Sequence, residues 1–262
     1  MEIILDNVSY KSKKIDEYLN NISYTFKQEI NFINGINASL IKDLLFQEKN
    51  TKEGYIALDK KGKKYDIFFI TDDYKLYKDN LYEEINYLNK LYKLNFKNID
   101  KRIINALKMI NLDITYISEE FKLMSSNELK LVKLAIALIL NSKIIVFDYF
   151  EKGMPYYQMN YIKKLLSKLN KMYNKNIIIF SDDIDCYINI VNNILVINNG
   201  NIVFNGTNKD IYNDDLYKYI DEPSIISFIK YLKSKGHEFD NYIDIKELLK
   251  AIYRDVENKW DI

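Results

Sequence analysis

INFINGINASLIKDLL, residues 30–45, is the stretch whose reading decides the rest of the chain. Ile30 to Ile33 form an apolar run of strand character, and Gly35 supplies a turn. Leu40, Ile41, Leu44 and Leu45 then recur at the spacing of one helical face. The segment therefore reads as strand, turn and helix.

Outward from it the same alternation continues. The runs EIIL near the start, DIFFI at Asp66, KIIVF at Lys143, NIIIF at Asn176 and ILVI at Ile194 are short and β-branched. Several are apolar throughout, as strands buried on both faces are. Between them lie helical patterns. Met159, Ile162, Leu165, Leu166, Leu169 and Met172 share one face, and Leu131, Leu134, Ala135 and Leu138 share another. This alternation predicts a mainly parallel sheet with helices packed on it. ILVINNGNIVF predicts a hairpin turning at Asn-Gly. Residues 76–140 read as a helical insertion. Beyond Asp221 two further stripes appear, Ile225, Phe228, Ile229, Leu232 and then Ile245, Leu248, Leu249, Ile252. Gly236 is placed to cap the first of them. Pro155 and Pro223 fall between elements.

Composition narrows the function classes. Lys+Arg 38 against Asp+Glu 37 gives a net charge of +1, with the signs interspersed. No basic face for nucleic acid is expected. The single cysteine, Cys186, excludes an internal disulfide, and the single histidine, His237, offers no histidine-based zinc site. No apolar run is long enough for a membrane span, and MEIILDNVSY does not read as a signal peptide. A cytoplasmic protein is the expectation.

The order of motifs carries a resemblance. LMSSNELKLVKLAIALILNSK leads into the strand KIIVFD, which ends at Asp148; NIIIFSDD is another strand with acids at its end; ILVINNGNIVFNGTNKDIY follows. From NVSYKSK at Asn7 onward this arrangement resembles an ABC-type ATPase. The resemblance implies an α/β fold. It has a RecA-like mainly parallel sheet flanked by helices, an antiparallel β subdomain and a helical subdomain near 76–140, all within 1–220. DEPSIISFIKYLKSKGHEFDNYIDIKELLKAI is similar to the C-terminal extension of energy-coupling-factor transporter ATPases, and LYEEINYL at Leu81 also resembles that subfamily. Residues 221–262 are thus expected to be a helical dimerisation extension. Such subunits pair with a second ATPase beneath a transmembrane coupling protein, which implies peripheral attachment to the cytoplasmic face of a membrane.

The family's phosphate loop, G-x-x-x-x-G-K-[ST], holds phosphates on backbone N–H groups and a helix N-terminus, with its lysine on the β/γ oxygens and its hydroxyl on Mg²⁺. Here Gly35, Ile36, Asn37, Ala38 and Ser39 run straight into Leu40, Ile41 and Lys42, as though Gly-Lys-Ser-Thr were deleted. Lys42 lies in the resumed helix and is expected to be a surface lysine. By the resemblance, the adenine-stacking aromatic falls at Ser12, with Tyr10 close by aligned to a structural aromatic, and the γ-phosphate-sensing glutamine falls near Thr71. Asp148 persists, but Tyr149 replaces the general-base glutamate, Pro155 stands for the next loop's aspartate and Asp182 replaces the switch histidine. A phenol with a pKa of ~10 is a poor base near neutrality, and a carboxylate is the wrong sign beside a phosphate. The signature motif, which acts on a partner's nucleotide, is Met124-Ser125-Ser126-Asn127-Glu128 and lacks both glycines.

The expectation is a degenerate ATP-binding subunit of an ABC/ECF-type transporter, catalytically inactive, with vestigial Gly35, Asn37, Ser39 and Asp148. Ser125 and Glu128 would complete a partner's site in trans. No cofactor is expected of the chain alone; ATP and Mg²⁺ would bind weakly or at a site shared with a heterodimeric partner. Two alternatives stand beside it: a soluble regulatory pseudo-ATPase, and residual noncanonical ATP binding and hydrolysis.

Overall fold

The computed structural model describes residues 1–12, 17–46 and 51–260. The last residue of NVSYKSK, Lys13, lies outside them. In chain order the strands are β1 (Ile3–Lys11), β2 (Tyr18–Phe26), β3 (Ile30–Asn34), β4 (Glu53–Leu58), β5 (Ile67–Ile70), β6 (Ile144–Asp148), β7 (Asn176–Phe180), β8 (Asn193–Asn198) and β9 (Asn201–Thr207). The helices are α1 (Ala38–Leu45), α2 (Leu81–Leu91), α3 (Ile99–Met109), α4 (Ser126–Leu140), α5 (Tyr156–Tyr173), α6 (Ile184–Tyr187), α7 (Ser224–Ser234) and α8 (Ile245–Trp260).

The central sheet has the order β5-β6-β7-β3-β8-β9, parallel from β5 to β8 with β9 antiparallel at the edge. Successive strand residues face opposite sides. Ile145, Phe147, Ile177, Ile179, Ile194 and Val196 enter one core with α2 to α5. Ile144, Val146, Ile178, Phe180, Leu195 and Ile197 enter a second core with α1 and the antiparallel sheet. Two covered faces explain why these strands carry continuous apolar runs, with polar residues mainly toward their ends. The hairpin turns at Asn199-Gly200, both with positive φ, as a two-residue primed turn requires.

The antiparallel sheet, β2-β1-β4, was only partly visible in the sequence. Register shifts around Val8 interrupt the β1–β2 pairing, so the period of two is broken. The edge strand β4 buries none of its residues and shows no alternation. Both strands escaped the periodicity reading for these reasons.

Residues 76–140 hold α2, α3 and α4. Met172 departs from expectation: α5 buries Met159, Ile162, Leu165, Leu166 and Leu169, while Met172, in the last turn, is exposed. Phe228 is likewise exposed on α7, where Ile226 and Ile229 are the buried pair. Gly236 (φ +86°) ends α7, with its N–H on Lys233 O and the His237 N–H on Leu232 O, the paired bonds of a Schellman cap. Ile229, Phe239 and Leu248 form a small core of their own, and Ile226 joins α7 to the main one. On α8, Ile245, Leu249 and Tyr253 lie exposed one turn apart. Among the described residues no helix is long and apolar enough to cross a membrane.

Candidate functional site

Strands β6, β7 and β3 are neighbours, and their carboxyl ends bring Asp148, Tyr149, Ser181, Asp182 and Gly35 to one edge of the sheet. In open α/β sheets this edge is where ligands bind.

Gly35 follows β3 with φ +108°. A Cβ built there would lie 1.9 Å from Ile197 O, so only glycine passes β8 at this point. Asn37, also left-handed (φ 71°), is the N-cap of α1, yet its side chain makes no cap bond. The turn closes on itself: Ala38 N–H donates to Gly35 O at 3.1 Å and Leu40 N–H to Asn37 O at 3.2 Å. Ser39 is exposed.

Lys42 is not the surface lysine expected from the sequence. Its side chain is only 15% exposed, and Nζ donates to Asp148 Oδ2 at 2.7 Å, with Asp148 14% exposed. From the fifth position of α1 it reaches the end of β6. Distance in sequence hid the pairing; the parallel sheet order, with β7 between β6 and β3, creates it.

Beyond Asp148 the chain turns at Tyr149, which has φ 45°. The phenol donates to Asp182 Oδ1 at 3.1 Å. Lys152 Nζ sits 3.6 Å from the Tyr149 ring centroid and 3.8 Å from Asp182 Oδ2. Burial, with the charge and hydrogen bond of Asp182 added, pushes the Tyr149 phenol up to about 12. It is therefore held further from deprotonation than a free tyrosine. The turn is pinned from below by Lys130, whose buried ammonium donates to Tyr149 O (3.0 Å), Phe150 O (3.4 Å) and Lys152 O (2.9 Å). Glu151 accepts from Ser181 Oγ and Tyr187 Oη. Pro155 is the N-cap of α5.

Ser125 and Glu128 form a capping box at the start of α4: Glu128 N–H donates to Ser125 Oγ, while Ser125 N–H and Oγ donate to Glu128 Oε2 at 2.8 and 2.6 Å. Tyr116 donates to the other Glu128 oxygen, and Asn127 donates to Gly153 O. These bonds depress the Glu128 carboxyl below its usual range, the Ser125 hydroxyl contributing most. Thr71 Oγ1 accepts from Tyr74 N–H, and Lys133 donates to Thr71 O at 2.6 Å. Tyr10 packs against the second core, while Ser12 follows the end of β1.

Sequence reasoning missed Lys130 and Lys133. The signal was there: in LKLVKLAIALIL they interrupt a helix otherwise apolar all round, and a buried lysine must find acceptors.

No protein-family model matches the chain. The Energy-coupling factor transporter ATP-binding protein EcfA2 of Clostridium tetani is 23% identical over 226 residues, covering 84% of this chain and 76% of that protein. EcfA2 of Staphylococcus epidermidis is 22% identical over 172 residues, 64% of this chain and 60% of that protein. The structure of cbiO1 from Clostridium perfringens, part of the ABC transporter complex cbiONQ, matches at TM-score 0.65 and 22% identity over 87% of this chain and 98% of that one. The fold is that of an ABC ATPase. In this fold Gly35 lies in the turn between β3 and α1, Asp148 ends β6, and Ser125–Glu128 open α4.

Proposed function

We propose that this cassette is the ATP-binding-type subunit of an energy-coupling-factor transporter, that it does not hydrolyse ATP itself, and that it serves as the coupling partner of an active ATPase. The similarity to EcfA2 proteins supports the transporter assignment. The observation that carries the loss of hydrolysis is the Lys42–Asp148 pair above a three-residue turn.

The residues at this edge do not fit Mg-ATP. The loop lacks the Gly-Lys-Ser-Thr segment, and two N–H groups at the start of α1 already serve carbonyls of the turn. Asp148, the acid that would face Mg²⁺, is engaged by an ammonium. Tyr149 carries a phenol held above its ordinary pKa in place of a base. A cleft of about 450 Å³ beside it is lined by Glu151, Asp182, Asp183, Asp185, Asp221 and Glu222, with Lys152 as its one cation. Such a wall repels a polyphosphate.

The partner reading draws on two further features. Ser125 and Glu128 remain at the head of α4, and residues 221–262 present Ile245, Leu249 and Tyr253 of α8 as an uncovered apolar stripe. A helix with such a face is built to pack against another protein. We assign this extension to dimerisation with an ATPase paralogue, and the helical insertion, residues 76–140, to the side of a transmembrane coupling protein. The cassette would then lie at the cytoplasmic face of the membrane.

The test is equilibrium binding of a fluorescent ATP analogue with Mg²⁺, together with phosphate release, on the chain alone and with an intact ECF-type ATPase. No binding alone and one nucleotide site in the mixed dimer are expected. Micromolar binding by the chain alone, competed by unlabelled ATP, would overturn the assignment and favour noncanonical ATP use.

A further inference from the structure

Resting on the reading of this edge as unable to hold Mg-ATP, we propose that Lys42 is a built-in counter-cation whose ammonium ties α1 to the end of β6 and sets the strand-end site without nucleotide or divalent ion. Three observations converge. The pair is short, 2.7 Å, and both side chains are about six-sevenths covered. Asp43, the next acid, lies at 4.0 Å from the same ammonium, so Asp148 is its principal partner. The turn before α1 is fixed independently, by Gly35 against Ile197 O and by left-handed Asn37, so α1 can deliver Lys42 only to this place.

The physical consequence is specific. An acid at the end of a buried strand, facing the edge of a sheet, needs a positive partner. In a loop three residues long that partner cannot arrive from outside with phosphates attached. A lysine one turn into α1 supplies it from within, and the charge is balanced in the chain itself. The strand-end geometry is then permanent rather than ligand-gated.

The experiment is a double-mutant cycle by thermal unfolding of the full chain: Lys42→Met, Asp148→Asn, and the two together, with Lys42→Arg as the conservative variant. Each is read with and without Mg-ATP. Each single neutral variant is expected to lower the midpoint by about 4–8 °C, the double variant by clearly less than the sum, and Lys42→Arg to retain most of the wild-type value. Additive losses in the cycle overturn the proposal. Mg-ATP is expected to leave the wild-type midpoint unchanged. A rise there with the Lys42–Asp148 coupling intact overturns the reading of the site as inert and leaves the tie standing. A rise accompanied by loss of coupling shows Lys42 transferring to the nucleotide and overturns the tie.

Discussion

The two ends of the central sheet solve the same problem in different ways. At the amino ends, neutral amides do most of the work: Asn31 Nδ2 donates to Lys27 O and Asn176 Oδ1, Asn176 Nδ2 to Phe26 O, and Asn193 Nδ2 to Glu29 Oε2. The lysine there, Lys175, donates to Asn141 O, Asn141 Oδ1 and Ser142 O and forms no ion pair among the described residues. At the carboxyl ends, Lys42 meets Asp148, and Lys152 meets Asp182. The amino edge is a dense, buried polar network of the kind that fixes a fold. At the carboxyl edge, charged side chains satisfy one another.

If the carboxyl edge owes its shape to backbone fit as well as to charge, Gly35→Ala is the most damaging single change. The methyl group would need Ile197 O to move by more than an ångström, and φ +108° is strained for alanine. A loss of at least about 3 kcal/mol is expected, or failure to fold. Gly236→Ala is the control. It also has positive φ but nothing within 4 Å of the added carbon, so it should cost about 1 kcal/mol. Urea unfolding of both variants decides it. Equal losses at the two glycines would mean that close passage at β8 is unimportant.

The sheet, the helical insertion and the hairpin were legible because each has a period: continuous apolar runs for strands covered on both faces, a helical stripe for α5, Asn-Gly for the turn. β2 and β4 were not, since a bulged pair and an exposed edge leave no period to read. At the site the sequence offered only an expectation, that Tyr149, Pro155 and Asp182 stand in for catalytic residues. The contacts that the charged side chains make there were not legible. Lys42 and Asp148 stand 106 residues apart, and Lys130 serves three carbonyls of a turn it does not adjoin in sequence. Side chains that act across parallel strands declare themselves only through topology.

The amino edge can be separated from the carboxyl edge by pH. Burial is the main cause that pulls the Lys175 ammonium down, to about 8, with the nearby charge of Lys143 adding to it. Between about 8 and the unfolded value near 10.5 the unfolded chain therefore binds more protons than the folded one. Stability attributable to this group rises with pH across that window, by at most about 1.4 kcal/mol per unit. Lys175→Met should abolish the rise. Urea midpoints at pH 7.5, 8.5 and 9.5 should show wild type gaining on the variant. A constant gap would mean that Lys175 stays charged, and the contrast between the two edges would fail.

The smallest effect belongs to the most conspicuous substitution. In Tyr149→Phe the ring remains beneath Lys152, so the cation–π contact survives. Only the hydrogen bond to Asp182 goes. Asp182 is 66% exposed and Lys152 61%, so water competes for every partner, and a loss within about 1 kcal/mol is expected. The pH dependence runs opposite to that of Lys175. The folded phenol titrates at about 12 rather than 10. Its contribution is complete below pH 10 and disappears as pH rises toward 12, because there the folded state binds the extra proton. The gap between wild type and Tyr149→Phe should therefore be constant from pH 7 to 9 and narrow above 10. Asp182→Asn should make the narrowing smaller and end it at lower pH, by removing a charge that opposes the phenolate. If the gap instead widened with alkali, the phenol would be ionising more readily in the fold than outside it. Tyr149 would then regain standing as a base at the end of β6.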